Sequence, residues 1–414
     1  LAAAGALLLV LTVSLILAAI LLSMLLLASN RRLLVQHDAR RQQVSRNLFS
    51  GLAYAQAHPE QPAFQMRALD LFGEGTDSVQ VVRRPWGLFD VAVVTAAKGP
   101  VRDTVAALLG SYPGAASQAA LYLTDEQMAL AVNGDAQVRG DVWLPKAGDI
   151  RPTNLPLIGA PRVGNPVLGR VRASPPALPP VSPAALERLQ GYAQLQLDNL
   201  LPPGSAHAPA SGYAAAPFRG APAVWYHREA FTIAHRVSGQ IAIISSQRLV
   251  VKGASQLDGV LLLAPTIIVE PGFRGRVQLI ARDTVSIGDH CHLAYPSVAC
   301  AYGAGPAAWV SLGAGSWLQG VLLAGSAQPG LACVVHMAPG AGVEGQVYSA
   351  GVVENCATVW GTVMCRQLRY RNIGSFYENY LVNGTVDRSK LSAQFVSTSL
   401  LNPLSARGIV QWLR

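Results

Sequence analysis

The chain opens with an apolar run from Leu1 to Ala28 whose only polar side chains are Thr12, Ser14 and Ser23. Coiled as an α-helix at about 1.5 Å per residue it reaches roughly 40 Å, more than the ~30 Å hydrocarbon core of a bilayer. A helix that is apolar all round is buried either in a large core or in lipid, and its place at the end of the chain favours lipid. The run is too long for a signal-peptide apolar region, and no small-residue cleavage site followed by turn residues comes after it, so a span is expected rather than a cleaved signal. From Asn30 to Ala57 the helix is predicted to continue as an amphipathic stalk. Leu34, Val44, Leu48, Leu52 and Ala55 recur there at mostly helical intervals, with Arg31, Arg32, Arg40, Arg41 and Arg46 between them, and Pro59 closes it.

The remainder of the 414 residues is rich in Ala, Gly and Val, and charged residues make up only 13% of the whole. The net charge of +9 is weighted by the arginines after the span, which read as a membrane-surface or solvated face. No basic stretch interleaved with aromatics follows, so nucleic acid is not an expected partner. Nothing basic precedes the span, which complicates the positive-inside reading. The chain begins with Leu rather than Met, and the expectation is a removed basic leader that sets the orientation. Five cysteines, Cys291, Cys300, Cys333, Cys356 and Cys365, are an odd, clustered set and not a disulfide framework. Cys291 and Cys300 flank a loop short enough for one bridge to close, and the pairing is otherwise open.

After the stalk the pattern turns to strands. Ser78 to Val82 alternates, Leu88 to Thr95 alternates again after a Pro85-Trp86-Gly87 turn, and Val101 to Leu109 and Ala120 to Thr124 read as further short elements. Then a five-residue unit, apolar-any-Gly-any-apolar, recurs. It stands at Val138–Val142, Val167–Val171, Val237–Ile241, Leu257–Leu261, Phe273–Val277, Leu318–Leu322, Val343–Val347 and Val359–Val363. The closest copies are 16 residues apart (257 to 273, 343 to 359), and Val260 to Gly272 aligns over Val277 to Asp289 at an offset of 17 (260 to 277). A Gly- and Val-rich chain produces some such units by chance, but a shared step does not follow from composition. Stacked short strands with Gly at tight corners account for it, which predicts a β-solenoid.

The expected architecture is mainly β: a long N-terminal transmembrane α-helix, a small β or α+β region, and a β-solenoid head with a helical insertion. The boundaries are 1–57 for the span and stalk, 63–130 for the small region, 131–365 for the solenoid with its insertion at about 173–228, and 366–414 for a C-terminal cap. The insertion carries a Pro-rich lead-in and a helix from Ser182, as N-cap, to about Leu201, followed by a Pro/Ala/Gly linker. Its Leu186, Leu189, Tyr192, Ala193 and Leu197 form a stripe suited to docking on the solenoid side or capping its end. The stretches Leu293 to Ser316 and Ala324 to Gly342 are expected as further insertions.

Chemistry is sparse. His290, Cys291, His292, Cys300, Cys333, His336, Cys356 and Cys365 contain enough ligands for zinc, but no Cys-x-x-Cys is present, and alternation places Cys291 opposite His290 and His292. Asp283, Asp289, His290 and His336 are the acid/base candidates, without any nucleophile elbow, metalloprotease helix or phosphate loop to organise them. Arg274, Arg276, Arg282 and Asp283 are the only hint of a polysaccharide-cleaving face, and a solvated face explains them as well. No catalytic, cofactor or metal residue is therefore assigned, and the chain is expected not to be an enzyme. Ser78, Thr104 and Thr284 sit in Asp-Ser/Thr-apolar triplets that resemble one bacterial O-glycosylation acceptor, and Asn383 fits an N-glycosylation acceptor.

The plan of Leu1 to about Ala57, an apolar segment continuing into an amphipathic helix before a globular head, resembles that of type IV pilins and the pseudopilins of type II secretion. That family has Phe or Met first and a glutamate fifth, where Leu1 and Gly5 stand here. Some minor, tip-forming subunits lack this glutamate. The stretch Val237 to Cys365 resembles bacterial β-helices, bactofilins among them. Together the resemblances imply a minor pilin-like or filament-associated subunit in the bacterial cell envelope, anchored in the inner membrane with its head outside the cytoplasm or assembled into an extracellular filament. Its implied partners are the membrane, other copies or pilin-like subunits through the N-terminal helix, and a surface glycan or protein at the head. A single-span, membrane-tethered structural β-helix scaffold is the alternative, with a carbohydrate-active β-helix enzyme behind it.

Overall fold

The computed structural model describes residues 2–59, 62–70, 73, 77–114, 116–146, 151–152, 165–197, 205–206, 213–328, 330, 332–401 and 405–413. The protein is mainly β, with one long apolar N-terminal helix, α1 (Ala2–Ala57). Its contacts fall into two compact units, residues 1–83 with 93–105, and residues 84–92 with 106–414.

In the first unit α1 changes character along its length. From Leu9 to Val35 its apolar side chains are exposed, Leu15, Leu25 and Val35 each at 68%. The hydroxyls of Thr12, Ser14, Ser23 and Ser29 donate to backbone carbonyls three or four residues earlier, so the stretch as far as Ser29 presents almost nothing but hydrocarbon, and Asn30, Arg31 and Arg32 end it. Further on, Val44, Leu48, Leu52 and Ala55 are buried at the spacing of one helix face, whereas Leu34 of the expected stalk stripe is exposed.

That face approaches the strands β1 (Met66–Leu69), β2 (Asp77–Trp86), β3 (Phe89–Lys98) and β4 (Val101–Ser111), successive neighbours in one sheet. The approach is close because Gly51 has no side chain: a Cβ there would stand 2.6 Å from Val94 Cγ1 and 2.9 Å from Val79 Cγ1. A buried polar pin sets the helix register, since Asn47 Nδ2 donates to Asp77 Oδ2 at 2.9 Å and Lys98 Nζ pairs with Asp77 Oδ1 at 3.0 Å. The turn after β2 is Gly87-Leu88, and Pro85 and Trp86 belong to the strand itself.

In the second unit the repeats pair in parallel. Val237 lies beside Leu257, Asp258 beside Arg276, Gly275 beside Leu293, Leu293 beside Leu318, Leu318 beside Val343 and Val343 beside Val359. The step of 16 from 343 to 359 is thus a true register, whereas the offset of 17 holds only from Val260 beside Val277 to Ala264 beside Ala281 and becomes 18 from Thr266 beside Thr284 onward. The step from 257 to 273 is not. Leu257 stands level with Gly275, and Phe273, fully buried, turns its ring towards the space a Gly275 side chain would occupy. Leu293 to Ser316 and Ala324 to Gly342 are not loops but carry the strands His292–Gly303, Ala308–Leu312, Trp317–Ser326 and Cys333–Met337, all in the sheet.

Chain order and stacking order part company at one end. Val359 pairs with Val386, Val386 with Val138, and Val138 with Val167, so the two earliest repeats lie beyond the last. The level between them is composite: Thr385–Asp387 supplies one side, and Leu121–Leu123, paired with Val363–Cys365 and Val142, supplies another. The chain then travels back along helix α2 (Pro183–Leu197), which packs on strands Gln256–Val269 and His292–Gly303.

Ser182 caps α2 as expected, its Oγ accepting from Ala185 N at 3.4 Å; the expected extension to Leu201 lies outside the described residues. Ala185 and Leu189 are its buried positions, and Arg188 donates to Phe89 O at 2.9 Å and to the buried Asp90 Oδ1 at 2.8 Å. Gln278 clips the same hairpin, accepting from Leu88 N and donating to Trp86 O, each at 3.0 Å.

Two substitutions test this packing. An alanine-for-glycine change normally strengthens a helix by about 1 kcal/mol. Gly51→Leu should instead destabilise the first unit by about 1–3 kcal/mol, because rigid valine methyls occupy the space, and chemical denaturation of the detergent-solubilised chain measures it. Gly345 has φ +145° and a Cβ position against the Gly320 carbonyl, so Gly345→Val should cost about 2 kcal/mol or more, read as a lowered Tm.

Candidate functional site

Parallel register converts sequence position into columns of side chains about 4.8 Å apart. The residue preceding the repeat glycine faces outward, as Ser238 and Asp258 do side by side, and Asp258 in turn lies beside Arg276, which follows its own glycine, Gly275. Further along the sheet Gln319 lies beside Glu344 and Glu344 beside Trp360. Between these two runs the strand His292–Gly303 carries extra residues around Tyr295 and Pro296, where the register shifts. Two clefts open on this face, both bordered by the C-terminal strand Arg407–Leu413, which pairs antiparallel with Ala106–Ser111.

The larger cleft, ≈ 620 Å³, has a floor of Gly239 and Gly259 and walls that include Ser238, Asp258, Arg276 and Trp412. Arg276 and Asp258 pair at 2.6 Å while both remain partly exposed, and Trp412 is 48% exposed. The smaller cleft, ≈ 390 Å³, is lined by Tyr295, Gln319, Glu344 and Phe395 among others. Gln319 Nε2 donates to Glu344 Oε2 at 2.8 Å, and the Tyr295 and Phe395 rings lie 5.7 Å apart. Beside it Trp317 rests over Gly342, which has no side chain to displace the ring, and meets Trp360 edge-on at 4.7 Å. These planar polar groups beside indoles can hold a polyhydroxylated ligand.

A second polar cluster lies on another outward column. Ser286, Ser311, His336, Glu354 and Arg369 stand at successive levels. Glu354, 2% exposed, is 3.1 Å from His336 Nδ1 and 3.8 and 3.7 Å from the guanidinium groups of Arg369 and Arg371. A buried carboxylate surrounded by three basic groups is neutralised in place, and the cluster ties three levels of the sheet together.

The residues singled out from sequence separate. All five cysteines are buried free thiols. Cys291 and Cys300 are not bridged: most of an extended strand lies between them at about 3.3 Å per residue, whereas a disulfide needs Cα atoms within ~7 Å. Burial pushes the Cys356 thiol up to about 12 and raises those of Cys300 and Cys365 as well, which leaves them protonated and inert. Cys291 Sγ donates to the Glu270 carbonyl, and His290 sits exposed in a left-handed turn. Among the described residues no three His, Cys, Asp or Glu side chains converge on an ion position.

Asp289 accepts from Ala314 N at 2.7 Å as a turn residue, and Asp283 is held by Arg282 on the surface. Of the four residues that hinted at a polysaccharide face, only Arg276 lines a cleft. Ser78 is exposed, Thr104 shares a hydrogen bond with Thr95, and Asn383 accepts from Asp135 N. Sequence reading missed Asp258, Gln319, Glu344 and Trp412. The first three occupy the variable position before the repeat glycine, the signal that could have found them. No protein-family model, curated protein or solved structure matches the chain.

Tyr295 provides a pH test of the smaller cleft. Its phenol donates to Val396 O at 2.8 Å, and burial pushes its pKa up to about 12 from the ordinary 10.0. A raised pKa means the folded state keeps the proton longer than the unfolded chain does. The stabilisation is fully present below pH 10 and is lost as pH rises towards 12. Near-ultraviolet circular dichroism should show alkaline loosening in that window, and Tyr295→Phe should make it shallower.

Proposed function

We propose that the chain is a pilin-like, membrane-anchored subunit of a bacterial envelope, non-enzymatic, that carries a β-solenoid head for display or adhesion outside the cytoplasm. The observation that carries this reading is the division of α1. Its stretch from Leu9 to Ala28 exposes hydrocarbon on every side, while Val44, Leu48, Leu52 and Ala55 pack beside Gly51 towards a small sheet. Each exposed leucine left in water forfeits about 1.5–3 kcal/mol relative to burial, so such a helix needs lipid or the apolar helices of neighbouring subunits around it. A pilin-like subunit uses both in turn, lipid before assembly and neighbours afterwards.

The solenoid reading is supported by the level-by-level parallel pairing from Val237 to Val359. Each level then rests only on its neighbours, a construction suited to a stiff, extended head.

Gly5, where the resembled family has its glutamate, favours a tip or minor position over a bulk filament subunit. It also suits the second reading, a single-span tethered scaffold that never enters a filament. Cell fractionation separates the two readings. The full chain should stay with membranes through an alkaline wash and leave them with detergent. Leu17→Arg with Leu21→Arg should weaken retention, since each charge costs about 2.5–3.5 kcal/mol at the centre of a span. Recovery of the unmodified chain in the soluble fraction would sink the anchor. Presence in filaments sheared from the cell surface supports the pilin-like role, and retention in membranes alone supports the scaffold.

A further inference from the structure

The larger cleft has a construction that the fold alone does not require. Part of its floor is bare backbone. Gly239 has φ +85° with its Cβ position against the Ala216 carbonyl, and Gly259 has φ +75° with its Cβ position 3.2 Å from the Phe218 ring. Corner glycines whose side-chain space is taken by the Ala216 carbonyl and the Phe218 ring explain the floor, but not the polar groups that surround the cleft. The walls hold one carboxylate, one guanidinium, one hydroxyl and one amide, from Asp258, Arg276, Ser238 and Gln411, beside the exposed Trp412 and an apolar side formed by Ala215 to Phe218 and Leu413.

The charges cancel. Asp258 and Arg276 pair at 2.6 Å, yet the Asp258 side chain is 57% exposed, so its remaining acceptor capacity faces the cleft. An exposed surface pair of this kind contributes about 1 kcal/mol or less to stability, which leaves its position in the cleft wall unexplained by folding. A polyanion would require a surplus of cations here, and an apolar peptide face would cover the exposed Asp258–Arg276 couple without giving its polar atoms a partner. A pyranose requires neither. It offers a C–H face that packs on an indole and a rim of neighbouring hydroxyls that pair bidentately with carboxylate, guanidinium and amide.

Spacing adds a further constraint. Ser238, Asp258 and Arg276 succeed one another at the strand separation of about 4.8 Å, close to the rise per sugar of an extended β-linked chain. The geometry points to a saccharide site: the cleft over Gly239 and Gly259 binds a neutral, extended, β-linked oligosaccharide, with Trp412 as stacking platform and Asp258 and Arg276 as the hydroxyl-pairing couple. The site lies wholly within the second unit, so it stands or falls separately from membrane anchoring.

Isothermal titration of the detergent-solubilised full chain tests the assignment, with oligomers of β-1,4-linked glucose, mannose and N-acetylglucosamine as probes. At least one should bind saturably. Trp412→Ala and Asp258→Asn should each weaken binding about tenfold or more, the loss expected when a hydrogen bond to a charged group or a stacked ring is removed. Trp412→Phe should retain most of the affinity. Asp283→Asn, which alters a surface carboxylate paired with Arg282 outside the cleft, should leave binding unchanged. Unaltered circular dichroism in the variants guards against misfolding. Binding of none of the oligomers, binding that survives Trp412→Ala, or binding confined to acidic polysaccharides or peptides would overturn the assignment.

Discussion

Parallel register at the glycine corner is the constraint on which the second unit depends. Gly361 stands against the carbonyl of Gly345, Gly345 against that of Gly320, and Gly320 against that of Ser297, so the backbone of one level fills the space where a side chain would project from the next. This close approach aligns equivalent residues. Inward it stacks Leu293, Leu318, Val343, Val359, Val386 and Val138 into one buried apolar column. Outward it aligns polar side chains into ladders, and the candidate clefts lie along one of them. Core and surface site are two faces of the same register.

Elsewhere the sheet is held by polar groups placed where backbone alone would leave gaps. Gln278 is directed outward between Leu261 and Val298 and is buried only because the Trp86–Leu88 turn covers it, with both ends of its amide satisfied there. Asp90 performs a similar task for α2, receiving Arg188 at 2.8 Å and lying 3.7 Å from Arg407. A buried carboxylate left without its partners is strongly destabilising, so the α2 connection has one preferred seat.

Legibility followed the range of the interactions. The apolar run of α1 was readable because a helix this apolar needs no partner to declare itself, and the buried positions Val44, Leu48, Leu52 and Ala55 followed from helical period. Most repeats were readable because a corner demands glycine whatever lies next to it. Leu293 to Ser316 was misread as a loop because its level is longer and carries Tyr295-Pro296 in place of the glycine motif; local spacing cannot show that a strand with extra residues still finds its register two residues later. Of the candidate site, Arg276 was noticed, but for a face built with Arg282 and Asp283 rather than for its pairing with Asp258. Trp412 lay outside any pattern, since a lone aromatic near the end of a chain has no period.

The amino-acid sequence by itself determined the exposed helix, the predominance of strands and the corner glycines, because each rests on local chemistry: transfer of hydrocarbon out of water, backbone freedom at a corner, and alternation along a strand. Only the tertiary structure decided the order of the levels. Val138 and Val167 come early in the chain but stack beyond Val386, and Leu121–Leu123 completes a level begun hundreds of residues later. It decided as well which outward residues face one another across a cleft. Pairing between strands depends on hydrogen-bonding partners brought together by the whole path of the chain, and many apolar strands of similar composition would satisfy the same backbone groups equally well.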